Sequence, residues 1–460
     1  MKALPRTLTL QEWDDRYREL VSEGIEEPFY GGPLSRRLED GDTRLTKLRF
    51  DNSTASLRLW NFFLSEEDRL RQARESGKKI VGAMKDLGTV PVLADSFPNL
   101  VAFYPDGAWW LPCLMGTRAG LFDIADALGV DDSFCPVRAM LGAFQTGAHF
   151  PEPDLSICSV GATCDDFSAI AQRLNSLGYP IFWWEIPSRR APDPGETAVD
   201  LPGGFHAPQA QVSFVQSELE RIRCALESLA GFPLRETKLR EGIHNANRVR
   251  RRLRKLRHAV FTAPSCPLPA LEMLVAEMLA IHFCSDPAET TAVLDPLLEE
   301  AQTRIEDGVG VLAPEAVKVF WVNPVADLRV MNLLEECGGR ICGTEYLFCH
   351  ALEEIPEDLP PLEALARTAL ADPMVGPASD RARKICRDIR VFGSEAVLIS
   401  RIPGASHCAT EGAVIRSVVE ENFRIPVLEI EVPSLSDSMR PTLRTRLEAL
   451  VETVRGKRAS

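Results

Sequence analysis

The stretch DLSICSVGATCDDFSAIAQRLNSLGYPIFWWEIP, residues 154–187, decides the fold. Leu155 to Ser159 is a short apolar run bounded by Pro153 and Gly161, which reads as a strand. Phe167, Ile170, Leu174 and Leu177 then recur at helical spacing until Gly178 stops the pattern. A second apolar run, Ile181 to Ile186, follows. Strand, turn, helix, strand is the unit that builds a parallel sheet. It places Cys164 where the first strand meets its helix, and ligands of open α/β sheets bind at that edge.

A second copy runs from 395 to 433: EAVLISRIPGASHCATEGAVIRSVVEENFRIPVLEIEVP. A strand over Ala396 to Ile399, a Pro-Gly turn, Cys408, a helical pattern and a strand over Ile425 to Ile430 repeat the order. Each copy delivers one cysteine to the same topological place. The sequence therefore predicts an α/β fold with two Rossmann-like parallel-sheet domains. Residues 1–88 read as a helical N-terminal cap, 89–210 as the first α/β domain, 211–300 as a helical bridge and 301–460 as the second α/β domain.

Within this plan GKKIVGAMKDLG, 77–88, reads as the end of an amphipathic helix, and VPVLAD, 90–95, as the strand that opens the first domain. The Pro- and Gly-rich APDPGETAVDLPGGFHAP, 191–208, reads as loop, and 356–377 as a proline-rich excursion. AVKVFWVNP, 316–324, reads as a strand followed by the helix LRVMNLLEECGG.

Composition narrows the function. With 460 residues the chain is long enough for about three domains. A net charge of −14 and a pI near 5.2 exclude the basic face that a nucleic acid needs. No apolar run approaches the roughly 20 residues that span a bilayer, and Met1 to Arg6 leads into polar sequence. The expectation is a cytoplasmic protein with neither membrane nor nucleic-acid partner. No Walker-type phosphate loop is present. The basic run RVRRRLRKLR, 248–257, could bind nucleic acid or the phosphates of coenzyme A, and reads first as a solvated helix face.

The 12 cysteines contain no tight Cys-x-x-Cys pair. Cys135, Cys164 and Cys408 each sit just ahead of a helical pattern, in SFCPVRAM, ATCDDFSAI and SHCATEGAVI. A helix N-terminus favours thiolate, and iron–sulfur clusters need thiolates. Three thiols would leave one iron open. Two readings stand on spacing alone, a three-cysteine cluster site or buried thiols that serve as small hydrophobes. In CGGRICGTEYLFCH, Cys337, Cys342, Cys349 and His350 do not match zinc spacing and read as buried. Glu345 and Tyr346 of the same segment, and His407 beside Cys408, are candidate acid–base groups. Asp165 and Asp166 read as charges at a helix start.

The stretches IEEPFYGGPL (25–34), FDNSTASLRLWNF (50–62), FYPDGAWW (103–110), SFCPVRAMLGAF (133–144), PDLSICSVGATCDDFSAIAQRL (153–174) and CGGRICGTEYL (337–347) carry a resemblance. With the last 60 or so residues they resemble the benzoyl-CoA reductase and 2-hydroxyacyl-CoA dehydratase family, most of all the larger reductase-type iron–sulfur subunit. The resemblance implies a [4Fe-4S] cluster held by Cys135, Cys164 and Cys408 in the crevice between the two domains. It implies an acyl-CoA substrate, an aryl-CoA for the reductases, whose thioester carbonyl becomes a ketyl radical anion. A paralogous iron–sulfur subunit and an ATP-hydrolysing iron–sulfur activator are the implied partners. Cys113, Cys158 and Cys342 depart from the three-cysteine pattern and keep a branch with a larger double-cubane cluster open.

Overall fold

The computed structural model describes residues 4–23, 32–38, 43–85, 88–107, 120–282, 286–406, 410–433 and 437–459. Two short strands, β1 (Thr7–Leu8) and β2 (Phe50–Asp51), pair antiparallel at the N-terminal end. The helix Leu10–Ser22 starts on a capping box between Thr9 and Glu12, and Thr54–Leu64 on the Ser53 hydroxyl. Asp51 fastens this region to the helical layer. Its carboxylate takes Arg304 Nη1 at 2.6 Å, and its N–H donates to Glu272 at 2.9 Å. Burial holds Glu272 well above the usual carboxylate range. The FDNSTASLRLWNF segment is thus a structural clasp.

The first sheet contains β3 (Lys79–Met84), β4 (Leu100–Phe103), β5 (Leu155–Gly161) and β6 (Ile181–Ile186), in the order β4-β3-β5-β6. A hairpin, β7 (Ala198–Leu201) with β8 (Phe205–Pro208), follows it. The second sheet contains β9 (Val317–Val322), β10 (Gly339–Glu345), β11 (Ala396–Arg401) and β12 (Val427–Glu431), in the order β10-β9-β11-β12. Every pairing within both sheets is parallel. Both sheets place their second strand outside the first and then run third and fourth on the other side, so the repeat seen in sequence extends to topology. The fold is α/β with two Rossmann-like parallel sheets. Long helices, Gln209–Ala230, Glu236–Thr262, Ala270–His282 and Pro287–Glu306, lie between the sheets in chain order.

Four expectations need correction. GKKIVGAMKDLG holds β3, an inner strand of the first sheet, not a helix end. A strand buried on both faces carries no alternation to betray it, and Gly82 serves close approach: a Cβ there would sit 3.1 Å from both Pro105 and Ser156. VPVLAD is a helix, Val90–Asp95, with Pro91 in its first turn where its missing N–H costs nothing. The loop 191–208 contains the β7–β8 hairpin, and the excursion 356–377 contains the helix Pro361–Leu370.

The basic run departs further from a solvated face. Arg250 and Arg257 are buried, because they fall on the apolar stripe of Glu236–Thr262. Arg250 reaches the carbonyls of Gly88 and Glu353, and Arg257 pairs with Glu277. Arg251, Arg252 and Arg254 pair with Glu354, Asp295 and Glu354.

His350 is buried and donates from Nε2 to the Thr368 carbonyl at 2.9 Å. Burial pushes it down to about 4, so below its ordinary 6.5 the unfolded chain takes up a proton that the folded chain refuses. Stability is expected to fall as pH drops from 6.5 to 4, by up to about 3 kcal/mol from this group. Denaturant titrations of His350→Gln should show that slope flattened, and an unchanged slope would assign it to other groups.

Candidate functional site

The C-terminal ends of six strands, three from each sheet, meet at one cavity of about 120 Å³. From the first sheet, Lys85 follows β3, Tyr104 and Asp106 follow β4, and Cys164 and Asp166 follow β5. From the second, Pro324 follows β9, Tyr346 to Phe348 follow β10, and Ile402, Ala405 and Ser406 follow β11. Parallel strands deliver their loops to one side of a sheet, which is why ligands collect at that edge.

Cys135 and Cys164 both line this cavity, and both are half-buried. Cys135 is the residue before the 3-10 turn Pro136–Arg138, with Pro136 opening it as the sequence predicts. Cys164 is the N-cap of Asp165–Ser176 and makes no side-chain cap bond. Burial raises its thiol, Lys85 opposes that, and Asp166 adds to it. The helix start alone therefore does not make a free thiolate here, contrary to the simple dipole expectation. A metal would have to displace the proton. His407 and Cys408 lie outside the described residues, while Ser406 immediately before them lines the cavity. Among the described residues no three His, Cys, Asp or Glu side chains gather as a metal site.

The two halves are joined at this point by close contacts. Gly404 has φ +78, and a Cβ on it would lie 2.6 Å from the Phe134 carbonyl oxygen, next to Cys135. Only glycine accepts both that dihedral and that approach. Asp166 accepts from the Ser406 N–H at 3.2 Å and its hydroxyl at 3.3 Å, and Cys164 Sγ lies 3.3 Å from the same carboxylate oxygen. The Ser406 hydroxyl is 3.9 Å from Cys164 Sγ. Asp166 is thus more than a charge at a helix start: it binds the segment that leads to Cys408.

Lys85 Nζ and the Tyr346 hydroxyl, both at the cavity, have no hydrogen-bond partner among the described residues. Lys85, 5% exposed and with φ +58, buries an ammonium that makes no hydrogen bond. Burial brings it down to about 8, and the nearby Cys164 and Asp372 pull it back up. Tyr346 is fully buried with an unbonded hydroxyl, and burial lifts it well above the usual phenol range. Buried polar atoms without partners are uncommon, and both belong to residues that line the same space. Sequence reasoning missed Lys85 because its strand had been read as helix.

Glu345 is not among the lining residues. Arg381 Nε donates to its Oε2 at 2.7 Å, while Oε1 is buried with no hydrogen-bond partner among the described residues. Cys158, on β5, is buried and pushed up to about 12. Cys342, on β10, is likewise buried, and Cys349 packs beside Arg257. None of these three lines the cavity. Cys113 lies outside the described residues.

The cavity therefore fits a thiolate-held cofactor: two thiols share it, and one buried ammonium faces it with no hydrogen-bond partner among the described residues. Among the described residues no helix is long and apolar enough to cross a membrane. The family model described as 2-hydroxyglutaryl-CoA dehydratase, D-component, matches residues 93–454. No curated protein matches the chain closely enough to count as a relative.

Proposed function

The chain belongs to the 2-hydroxyglutaryl-CoA dehydratase D-component family, and we propose that within it the chain is the iron–sulfur subunit of an aromatic acyl-CoA reductase. Proteins of this family are generally iron–sulfur proteins that act on acyl-CoA substrates with an activator component. Cys135, Cys164 and Cys408 would hold a [4Fe-4S] cluster. When bound, such a cluster supplies low-potential electrons to a thioester.

The observation that carries the reading is the shared cavity: Cys135, Cys164, Lys85 and Tyr346 all line it at the strand ends of both sheets. Lys85 offers positive charge to a thioester oxygen that gains negative charge, an interaction strengthened where water is excluded. Tyr346 keeps its proton and has it free to donate. His407 and Glu345 are further proposed proton-transfer groups. Tyr104, Phe167, Tyr346 and Phe348 give the cavity an aromatic wall that suits an aryl group.

The description of the matched family favours a second reading, dehydration of a 2-hydroxyacyl-CoA. The complex of this chain with its paralogous iron–sulfur subunit, purified without oxygen and supplied with activator, ATP and a reductant, is expected to convert benzoyl-CoA to a cyclic dienoyl-CoA. Conversion of 2-hydroxyglutaryl-CoA instead would establish the second reading. Purified chain without iron or acid-labile sulfide would overturn both.

A further inference from the structure

A second depression, about 1010 Å³, opens between the β7–β8 hairpin and the helix Ala378–Phe392. The helix contributes Arg383, Arg387 and Arg390, which lie on one face at i, i+4 and i+7. Arg189 and Arg190, just beyond β6, also line it. Most of this charge is matched: Arg190 pairs with Glu196, and Arg189 and Arg383 share Asp380. Arg387 and Arg390 differ. Among the described residues neither has a carboxylate within ion-pair distance; Arg387 donates to the Gly203 carbonyl at 2.9 Å and Arg390 to the Asn422 side chain at 3.2 Å.

The hairpin turn is built for that approach. Gly203 and Gly204 have φ +76 and +80, and a Cβ on Gly204 would lie 3.3 Å from Arg387 Nη1. The two carboxylates that line the cleft are taken, Asp380 by Arg189 and Arg383 and Asp200 by His206, so in a chain of net charge −14 two exposed guanidiniums with no ion pair among the described residues mark an anion site. Phe205, buried with the Arg189 guanidinium 4.2 Å from its ring centroid, backs the cleft.

This cleft adjoins the cysteine cavity. The Arg189 N–H donates to the Val375 carbonyl at 2.8 Å, and its side chain reaches the carbonyls of Leu370 and Asp372. Met374 of that segment lines the cavity, and Pro377 lines the cleft. Three residues of chain span at most about 10 Å. A ligand with a thioester at one end and phosphates at the other would engage both linings at once.

We propose that the cleft binds the phosphorylated adenosine end of the CoA thioester, with Arg387 and Arg390 on its phosphates. This rests on the proposed function, because it takes the substrate to be a CoA ester. The test is calorimetric titration of the full chain, purified without oxygen, with CoA, dephospho-CoA and pyrophosphate at fixed ionic strength. Arg387→Ala and Arg390→Ala are each expected to weaken CoA about tenfold, and the double lysine variant to recover part of the loss. Iron per chain should not change.

Unaltered CoA affinity in the double alanine variant would overturn the proposal. So would pyrophosphate binding as tightly as CoA, or a wild-type chain that does not bind CoA. The two readings fail separately. A double alanine variant that keeps iron, turnover and CoA affinity removes the cleft and leaves the function intact, whereas wild-type chain without iron removes the function first.

Discussion

Cys164→Ser is expected to abolish the proposed cluster: iron and acid-labile sulfide should fall from about four each per chain to near none, with the visible absorbance lost. The oxygen of serine is a hard, weakly acidic donor where the cluster needs a soft thiolate. Global unfolding will not explain the loss. Cys164 occupies an N-cap position without a side-chain cap bond, and serine is among the preferred caps, so stability should hold or rise by up to about 1 kcal/mol. Burial keeps the Cys164 thiol raised in the metal-free fold, so reconstitution should release protons and improve with rising pH. Cys158→Ser is the control, since that thiol is buried away from the cavity lining and should leave iron intact. Full iron and an unchanged spectrum in Cys164→Ser would remove this residue from the ligand set.

Arg381→Met is expected to cost about 3–5 kcal/mol of unfolding free energy, the usual result of breaking a buried charge network from one side. Arg381 is fully buried. It binds Glu345 at the end of β10, Asn323 just after β9 at 2.5 Å, and Glu411 before the helix Gly412–Asn422 at 2.8 Å. Methionine fills similar volume but strands the Glu345 carboxylate in a dry site. Because Tyr346 follows Glu345 directly and Pro324 follows Asn323, the cavity wall should loosen as well. Denaturant midpoints of Arg381→Met and Arg381→Lys measure this, with lysine keeping charge but losing the planar fork. A loss below about 1 kcal/mol would place the pair in the class of weak surface bridges.

The strand–helix–strand units were readable because each has one apolar run of strand length, a glycine stop and a second run. Both came out as drawn, β5 to β6 and β11 to β12. The placement of Cys164 at a helix start followed from the same pattern. KIVGAM failed because an inner parallel strand is apolar throughout and its glycine weakens β propensity. VPVLAD failed in the opposite sense, since two valines imitate a strand while Pro91 was the true signal. Arg250 and Arg257 looked solvated by composition, although their spacing along the apolar stripe already pointed inward. The cavity itself depended on distant partners. Nothing local in PGASHC announces that Gly404 must touch the Phe134 carbonyl, and nothing in KIVGAMK announces that Lys85 will be buried with no hydrogen-bond partner among the described residues.

The contact of Gly404 with Phe134, and of Ser406 with Asp166, joins segments from opposite parts of the polypeptide. A ribosome must therefore release nearly all of this sequence before the pocket has a far side. Assembly of the proposed cluster would belong after synthesis, and a prematurely terminated product would display the Cys135 and Cys164 thiols with no chamber around them.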